Sequence, residues 1–370
     1  MNLAELTVNI SNIQHNVNIV SKRIGSADKI IFVLKADGYG AGAVVLAKET
    51  YKFGIRHFAV ARLEEAVELR KGGIMSNIIV LANPLENSFD HFFGYNIETA
   101  VTDKFTLERL IEFTNTQQKR ISIHLNLNTG MNRLGVSEDE FHECMALLKN
   151  APFIHLAGVL THFASADEPE NTFTSEQSQR FKEIYKTYKS QYPHVVFHAA
   201  NSAATMESTD YYYDKVRVGI TLLGYSANEI DVPHWNIRPS LSLKAKIIQI
   251  RDIPKGETIG YSQNYTTKCQ LRVATVAIGY ADGVHRILSN RGFLLVNGVK
   301  CPILGNISMD LITIDVSQAN AHMGDDAVVF GISETSEIKL TDLAKQIYSV
   351  PYEIITQIHP RVERVYISNE

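Results

Sequence analysis

The sequence is poor in cysteine, in charge of one sign and in long apolar runs. Its 370 residues include three cysteines, Cys144, Cys269 and Cys301, which lie far apart and outside any C-x-x-C pattern. No cluster of cysteine and histidine shows metal-ligand spacing, so no metal site is predicted. We interpret the cysteines as packed thiols, with a catalytic role as the alternative.

The charge balance is nearly even, with 36 Lys and Arg against 40 Asp and Glu and a net charge of −4. This balance offers no basic surface for nucleic acid or for an anionic membrane. Apolar stretches such as 78–82 fall far short of the ~20 residues of a membrane span, and the first residues have no signal-peptide pattern. Walker A and G-x-G-x-x-G phosphate loops are also absent. We expect a soluble, cytoplasmic protein of two domains.

Between about residues 30 and 220, short β-branched runs alternate with segments of helical spacing. The predicted strands are 30–34, 57–61, 77–82, 97–101, 121–127, 154–160, 195–199 and 215–218. Helices are predicted at 43–53 and 63–71, ended by Gly54 and by Gly72-Gly73. Eight such units favour a parallel (β/α)8 barrel of the TIM type, an α/β fold, while a doubly wound open sheet is the alternative.

After Pro239 the pattern changes to β-rich runs at 240–250, 273–278, 293–296, 312–316 and 327–330, with one helix near 342–348. Asn297-Gly298 between two apolar runs predicts a hairpin. The sequence therefore predicts a C-terminal, mainly β domain over 235–370.

Lys35 directly follows the first predicted strand of the barrel. The carboxyl-terminal ends of barrel strands, here called the barrel mouth, carry the active sites of such folds. Partial desolvation at this point lowers the pKa of a lysine and favours Schiff-base chemistry. The alternative is a strand-end lysine that simply reaches into water.

Other predicted strands also end in polar residues, namely His124 and Asn126, His162, His198 with Ser202, and Arg217. Ser202 is predicted to open a helix whose N–H groups face an anion. Phosphate sites in barrels typically use the loops after strands seven and eight. A lysine for a Schiff base and a phosphate site together suit pyridoxal phosphate, with Arg217 as partner of the pyridine nitrogen.

Ten motifs occur in one order along the chain: V-L-K-A-D-G-Y-G at 33–40, L-E-E-A-V-E-L-R at 63–70, T-G-M-N-R-L-G-V at 129–136, T-H-F-A-S-A-D-E at 161–168, N-S-A-A-T at 201–205, V-R-V-G-I at 216–220, G-Y-S at 260–262, A-I-G-Y-A-D-G at 277–283, S-M-D at 308–310 and P-Y-E at 351–353. Together they resemble the bacterial alanine racemases, a pyridoxal-phosphate family. The resemblance covers essentially the whole chain and favours the barrel over the open sheet.

The resemblance implies a barrel over 9–234, a β domain over 235–370 joined by an N-terminal strand at 2–8, and a homodimer with shared active sites. Lys35 matches the cofactor-bearing lysine and Tyr261 the second catalytic base, supplied by the partner's β domain. The matched cofactor-binding positions are Tyr39, His162, His198, Ser202, Arg217, Gly219, Ile220 and Tyr352. The matched substrate-binding positions are Arg133, Met309 and Tyr280.

Racemisation removes the α-proton from one face of an amino acid and returns a proton to the other, so two bases suit it. By resemblance, Lys35 acts on D-alanine and Tyr261 on L-alanine, and the product D-alanine supplies cell-wall peptidoglycan. Alternatives are a serine or broad-specificity racemase, an amino-acid decarboxylase of the same fold, and a non-enzymatic cofactor carrier. Arg217 argues against the decarboxylase, which typically places an acidic residue at the pyridine nitrogen. The β domain with Tyr261 argues against the carrier.

The chain departs from the family pattern at Asn126, where the family has a lysine that is often carbamylated. Asn126 lacks the negative charge that a carbamate would direct at Arg133. We therefore expect an amide hydrogen bond or a bound anion such as chloride near these two residues. Gly38 and Ala41 are further departures.

Overall fold

The computed structural model describes residues 3–168, 170–226 and 235–368. The chain divides into two compact units: a barrel unit over Ile13–Arg238, and a β unit that joins the residues up to Asn12 with those from Pro239 onward. The first strand, β1 (Ala4–Asn9), is in the β unit. No helix in these described ranges is long and apolar enough to cross a bilayer.

The barrel unit contains a sheet of eight parallel strands within the described residues. They are β2 (Ile30–Val33), β3 (His57–Val60), β4 (Asn77–Val80), β5 (Glu98–Val101), β6 (Ile121–Asn126), β7 (Ile154–Leu160), β8 (Val196–His198) and β9 (Val216–Val218). Neighbours follow chain order from β2 to β8, and β9 pairs with β2. A doubly wound sheet reverses its strand order, so the open-sheet alternative is wrong and the predicted barrel is confirmed.

Individual hydrogen bonds, rather than a regular ladder, join β8 to β9. The Asp214 amide donates to the Phe197 carbonyl at 3.0 Å, and the Arg217 amide donates to the Ala200 carbonyl at 2.9 Å. This junction leaves carbonyl groups at the end of β8 that side chains can reach, which matters for the site described below.

Helix α1 (Ile10–Ile24) precedes the first barrel strand. The helices between the barrel strands are α2 (Ala43–Lys52), α3 (Leu63–Lys71), α4 (Phe89–Gly94), α5 (Lys104–Gln117), α6 (Glu138–Leu148), α7 (Phe173–Lys189) and α8 (Ser202–Glu207). The predicted helix 63–71 matches α3, which buries Ala66 and Leu69 and exposes charged residues. Gly73, with a φ of 88°, adopts the left-handed conformation after this helix, whereas Gly72 stays right-handed.

The β unit is built on one large sheet. Its further strands are β10 (Leu241–Ile253), β11 (Thr258–Ile259), β12 (Tyr265–Thr266), β13 (Leu271–Val276), β14 (Phe293–Val296), β15 (Val299–Pro302), β16 (Ile312–Asp315), β17 (Asp326–Ser333), β18 (Ser336–Ile338) and β19 (Glu363–Ile367). Strand β1 lies between β10 and β19, antiparallel to the first and parallel to the second. Strands β11 and β12 form a separate two-stranded ribbon.

The predicted hairpin joins β14 and β15, and Asn297 and Gly298 both have positive φ, at 46° and 76°. The β unit also contains α9 (Leu340–Gln346), close to the predicted helix, and α10 (Pro351–Thr356), which the sequence analysis missed. Proline at the first position of α10 disguised it, because proline is more often a sign of a turn.

The prediction of packed thiols holds for two of the three cysteines. Cys144 and Cys301 are buried, and burial raises the pKa of each thiol to about 11, so neither is a ready nucleophile. Cys269 is exposed, so the prediction is wrong there, because its position between β12 and β13 leaves it outside the core.

Candidate active site

Lys35 follows β2 at the barrel mouth and opens an unusual turn. The next four residues, Ala36, Asp37, Gly38 and Tyr39, have φ values of 52°, 52°, 62° and 57°. Left-handed backbone costs a residue other than glycine about 1 kcal/mol, so Ala36, Asp37 and Tyr39 are strained unless their surroundings hold them, whereas Gly38 adopts this conformation freely.

Two carboxylates hold this turn. Glu65 on α3 accepts a hydrogen bond from the Ala36 amide at 2.6 Å, and Asp37 accepts one from the Ala43 amide at 2.8 Å. The turn therefore rests on contacts from the two helices that follow it, α2 and α3. Glu65 is a site residue that the sequence analysis missed, because its contact with Ala36 joins residues 29 positions apart.

The surroundings of the Lys35 ammonium lower its pKa. Desolvation lowers the pKa of Lys35, and repulsion from Arg133 lowers it further, while attraction to Glu65 opposes both. The residue as a whole remains solvent-exposed in the single chain, so its ammonium is crowded without being sealed off. A lysine of lowered pKa at a barrel mouth suits Schiff-base formation and proton transfer.

Tyr39, Ser202 and Gly219 lie together at the end of the barrel. The Gly219 amide donates to Ser202 Oγ at 3.0 Å, and a Cβ placed on Gly219 would lie only 2.3 Å from Tyr39 Oη. Asn201 caps helix α8 through its side chain, and Ile220 is buried beside Gly219. These residues bring two hydroxyl groups to a helix start, an arrangement that suits an anion such as phosphate.

Arg217 is buried inside the barrel and is the most highly bonded side chain of the site. Its Nη1 donates to the His198 carbonyl at 2.7 Å and to His198 Nδ1 at 2.8 Å. Its Nη2 lies 2.5 Å from the Thr161 carbonyl, 2.8 Å from the Ala199 carbonyl and 3.2 Å from His162 Nδ1. Among the described residues, no acceptor faces its Nε–H. Arg217 thus fills the irregular junction between β8 and β9 and keeps one donor available.

Burial and neighbouring charges decide the charge states of Arg217 and His162. Burial lowers the pKa of Arg217 to about 9, which leaves the guanidinium protonated at neutral pH. Burial also lowers the pKa of His162, to about 3, and repulsion from Arg217 and Arg133 adds to the effect. His162 is therefore neutral, and its Nδ1 accepts from Arg217 while its Nε2 carries the proton.

Asn126 and Arg133 lie on the β6 strand end and on the loop that follows it. Asn126 is buried, whereas Arg133 is exposed. Within the described parts of the chain, neither side chain makes a hydrogen bond or an ion pair. The amide hydrogen bond considered for this pair is therefore absent from the residues described, and a bound anion stays a prediction.

The remaining predicted site residues are in the β unit. Tyr261, Tyr280 and Met309 expose 70%, 44% and 52% of their surface. The Tyr280 amide donates to the Ser308 carbonyl at 3.1 Å, and Asn306 donates to the Tyr261 carbonyl at 2.9 Å. These bonds place the three segments that carry the exposed residues beside one another in the β unit. Tyr352 lies on α10.

Comparison with known proteins decides the family. The family model described as alanine racemase, N-terminal domain matches residues 8–227, and the model described as alanine racemase, C-terminal domain matches residues 240–366. The chain belongs to the alanine racemase family. The reaction of alanine racemases is the interconversion of L- and D-alanine, and this chain is an enzyme of that family.

Individual alanine racemases match over nearly the full length. The alanine racemase of Halothermothrix orenii is 36% identical over 97% of this chain and 95% of its own. The alanine racemase structure from Clostridium difficile 630 has a TM-score of 0.94 and 31% identity, covering 100% of this chain and 97% of that one. The alanine racemase structure from Bartonella henselae, described with covalently bound pyridoxal phosphate, has a TM-score of 0.87 and 27% identity, covering 99% of this chain and 100% of that one.

Proposed function

We propose that this chain interconverts L-alanine and D-alanine with pyridoxal phosphate as cofactor and with Lys35 and Tyr261 as its two bases. The observation that carries the proposal is the barrel mouth, where a lysine of lowered pKa lies in the same unit as a protonated, buried arginine with one available donor. Family membership supports the reaction, and the printed description of the Bartonella henselae structure supports the cofactor.

The residues present fit this cofactor. Tyr39 and Ser202 would offer hydroxyl groups to its phosphate, and the Gly219 amide, which donates to Ser202 Oγ, would hold that hydroxyl in place. The Gly219 position suits close approach, because a side chain there would collide with Tyr39. By resemblance, Ile220 and Tyr352 complete the phosphate-binding residues, and His162 and His198 lie beside the ring.

When bound, pyridoxal phosphate supplies an electron sink that makes the α-proton of an amino acid easier to remove. Arg217 would hold the pyridine nitrogen of this group by donating its Nε–H as a hydrogen bond. It does not transfer this proton, because arginine remains protonated and its four other N–H groups are committed to carbonyls and histidines. A donor that keeps its proton would weaken the sink, which suppresses side reactions such as transamination.

The two bases act on opposite faces of the substrate. Lys35 takes or returns a proton at Nζ, and its lowered pKa increases the fraction available as a base at neutral pH. Tyr261 takes or returns the proton at Oη on the other face. Arg133 binds the substrate carboxylate together with Met309, and Tyr280 lines the route by which substrate enters. An anion between Asn126 and Arg133 would orient this arginine.

The decisive experiment is incubation of the cofactor-loaded enzyme with L-alanine in deuterated water, followed by chiral separation and mass analysis. Deuterated D-alanine is the expected product, because the proton returned to the opposite face comes from solvent. Release of carbon dioxide without D-alanine would refute the proposal in favour of decarboxylation. Turnover of L-serine faster than L-alanine would correct the substrate.

We also propose a homodimer in which Tyr261 of one chain serves the barrel of the other. The exposed surface of Tyr261, Tyr280 and Met309 supports this assembly. Mixing inactive Lys35→Ala and Tyr261→Phe chains after reversible dissociation should restore about a quarter of the wild-type activity, since half of the dimers would hold one intact site. No restoration in mixed dimers would contradict the shared site.

The proposed domain division 9–234 and 235–370, a cytoplasmic location and a role in peptidoglycan supply remain predictions.

A further inference from the structure

A chain of hydrogen bonds leads from Arg217 through the barrel interior to a carboxylate that the proposed mechanism does not use. His198 Nε2 lies 2.9 Å from His124 Nδ1, and His124 Nε2 lies 2.8 Å from Glu98 Oε2. Asn77 donates to the other oxygen of Glu98 at 2.7 Å. We call Arg217, His198, His124 and Glu98 the interior chain. Glu98 begins β5, so this end of the chain points away from the barrel mouth.

The backbone makes room for the histidine pair. His124 is on β6 and His198 on β8, so their contact passes across the intervening strand β7. Gly158 occupies that strand, and a Cβ on it would lie 2.2 Å from His124 Nδ1. The β6–β7 register also shifts between Ile123 and His124. Glycine and a register shift inside a strand both indicate a close approach that the fold accommodates.

The two ends of the interior chain together set the direction of every bond in it, because the arginine only donates and the ionised Glu98 carboxylate only accepts. Arginine has donors only, so His198 Nδ1 must accept and His198 Nε2 must carry the proton. His124 Nδ1 then accepts, and His124 Nε2 donates to the Glu98 carboxylate. Neither histidine can take a second proton without losing one of these bonds.

The charges of Glu98 and Arg217, the two ends of the interior chain, reinforce this direction of the hydrogen bonds. Burial opposes ionisation of Glu98, but hydrogen bonds from His124 and Asn77 keep the pKa of Glu98 below its ordinary value. Burial, followed by repulsion from Arg217, keeps the pKa of His198 well below its ordinary value. Other titratable groups interact electrostatically with residues of the interior chain, namely His57, His155, Arg70 and Lys215. Reversed tautomers would place two donors against each other at Arg217 and two acceptors against each other at Glu98.

We propose that Glu98 is a positioning residue for the reaction: through His124 and His198 it fixes the tautomers that hold the Arg217 guanidinium in place. The inference rests on the proposed function, because it assigns Arg217 to the pyridine nitrogen. The interior chain holds hydrogen bonds in one direction and does not deliver protons, since its terminal arginine keeps its own proton.

The first test is the tautomeric state of the histidines in the wild-type holoenzyme, measured by nitrogen NMR after labelling of histidine. We expect His124 and His198 both to be neutral and protonated at Nε2. Signals are assigned by their loss in His124→Gln and His198→Gln enzymes. Protonation of either residue at Nδ1, or a charged imidazolium, overturns the inference whatever the activity.

The second test compares Glu98→Leu, which removes charge and acceptor, with Glu98→Gln, which keeps an acceptor oxygen. In Glu98→Leu we expect mixed tautomers and a kcat about ten-fold lower, with the KM for alanine changed less than about two-fold. Glu98→Gln should retain the Nε2 tautomers and recover most of kcat. His142→Gln is the matched control, because the His142 side chain hydrogen-bonds Tyr188, away from the interior chain.

Each outcome separates this inference from the function on which it rests. Wild-type tautomers together with a kcat in Glu98→Leu equal to that of the control would overturn the positioning role. A wild-type holoenzyme that makes no D-alanine would overturn the proposed function. An active wild-type enzyme with the wrong tautomers would overturn the inference alone.

Discussion

The contact between Tyr39 and Gly219 yields the sharpest prediction for stability and cofactor binding. In Gly219→Ala, the new methyl group would lie 2.3 Å from Tyr39 Oη, 2.8 Å from Cζ and 2.9 Å from Cε2. Ordinary contacts begin near 3.4 Å, so the ring must move by roughly 1 Å. Tyr39 is only 5% exposed and is carried by the left-handed turn, so it has little freedom to withdraw.

The size of the effect follows from this crowding. Overpacking of a well-filled interior costs about 1–3 kcal/mol. We expect Gly219→Ala to lower the free energy of unfolding by that amount. Pyridoxal phosphate should bind at least about ten-fold more weakly, since ten-fold corresponds to about 1.4 kcal/mol. Removing only the hydroxyl, in Tyr39→Phe/Gly219→Ala, should recover only part of the stability, because the contacts to Cζ and Cε2 remain.

Urea denaturation would measure the stability and fluorescence titration the cofactor affinity. The matched control is Gly94→Ala at the end of α4, where, among the described residues, no heavy atom beyond the adjacent residues and the backbone of the same helix lies within 4 Å of the added carbon. This control should leave cofactor affinity unchanged and alter stability by at most about 1 kcal/mol. If Gly219→Ala were as stable and bound cofactor as tightly as Gly94→Ala, the reasoning about Tyr39 and Gly219 would be refuted.

Three further predictions concern charge and the second base. His162 has a folded-state pKa of about 3, below its ordinary 6.5, so its contribution to stability should be complete above about pH 6.5 and be lost as the pH falls toward 3. The free energy of unfolding, measured by denaturation at several values between pH 4 and 8, should depend less steeply on pH in His162→Gln than in the wild type. An unchanged pH dependence would contradict the assignment. Arg217→Lys should cost about 2–4 kcal/mol of unfolding free energy, measured by urea, because it leaves buried carbonyls without donors; a loss below 1 kcal/mol would argue that water replaces them. Tyr261→Phe should change stability by less than about 0.5 kcal/mol, since the side chain is 70% exposed, yet lower L-alanine turnover at least about 100-fold. Undiminished turnover would remove Tyr261 from the proposed pair of bases.

Local sequence patterns were enough for much of the fold. The eight barrel strands and helix α3 follow from alternation of apolar runs and from helical spacing, which depend on residues only a few positions apart. The Asn297-Gly298 turn is likewise local, because both residues accept positive φ. Spacing alone did not distinguish a barrel from an open sheet. The ordered motifs indicated the family and with it the barrel.

Other features depend on groups that meet only in the folded chain. Ala36 and Asp37 adopt left-handed backbone against their own preference, because Glu65 and the start of α2 hold the turn. No pattern of neighbouring residues predicts this conformation, since the stabilising groups come from other elements.

The interior chain is the strongest case of dependence on tertiary structure. Glu98, His124 and His198 are separated by 26 and 74 residues, and each lies on its own strand. Their contacts require the order of β5 to β8, the register shift at His124 and the missing side chain at Gly158. The sequence by itself determined which segments become strands and which residue types carry the chemistry. Only the assembled barrel sheet decided which of those residues share hydrogen bonds, because strand order and register are set by packing over the whole sheet.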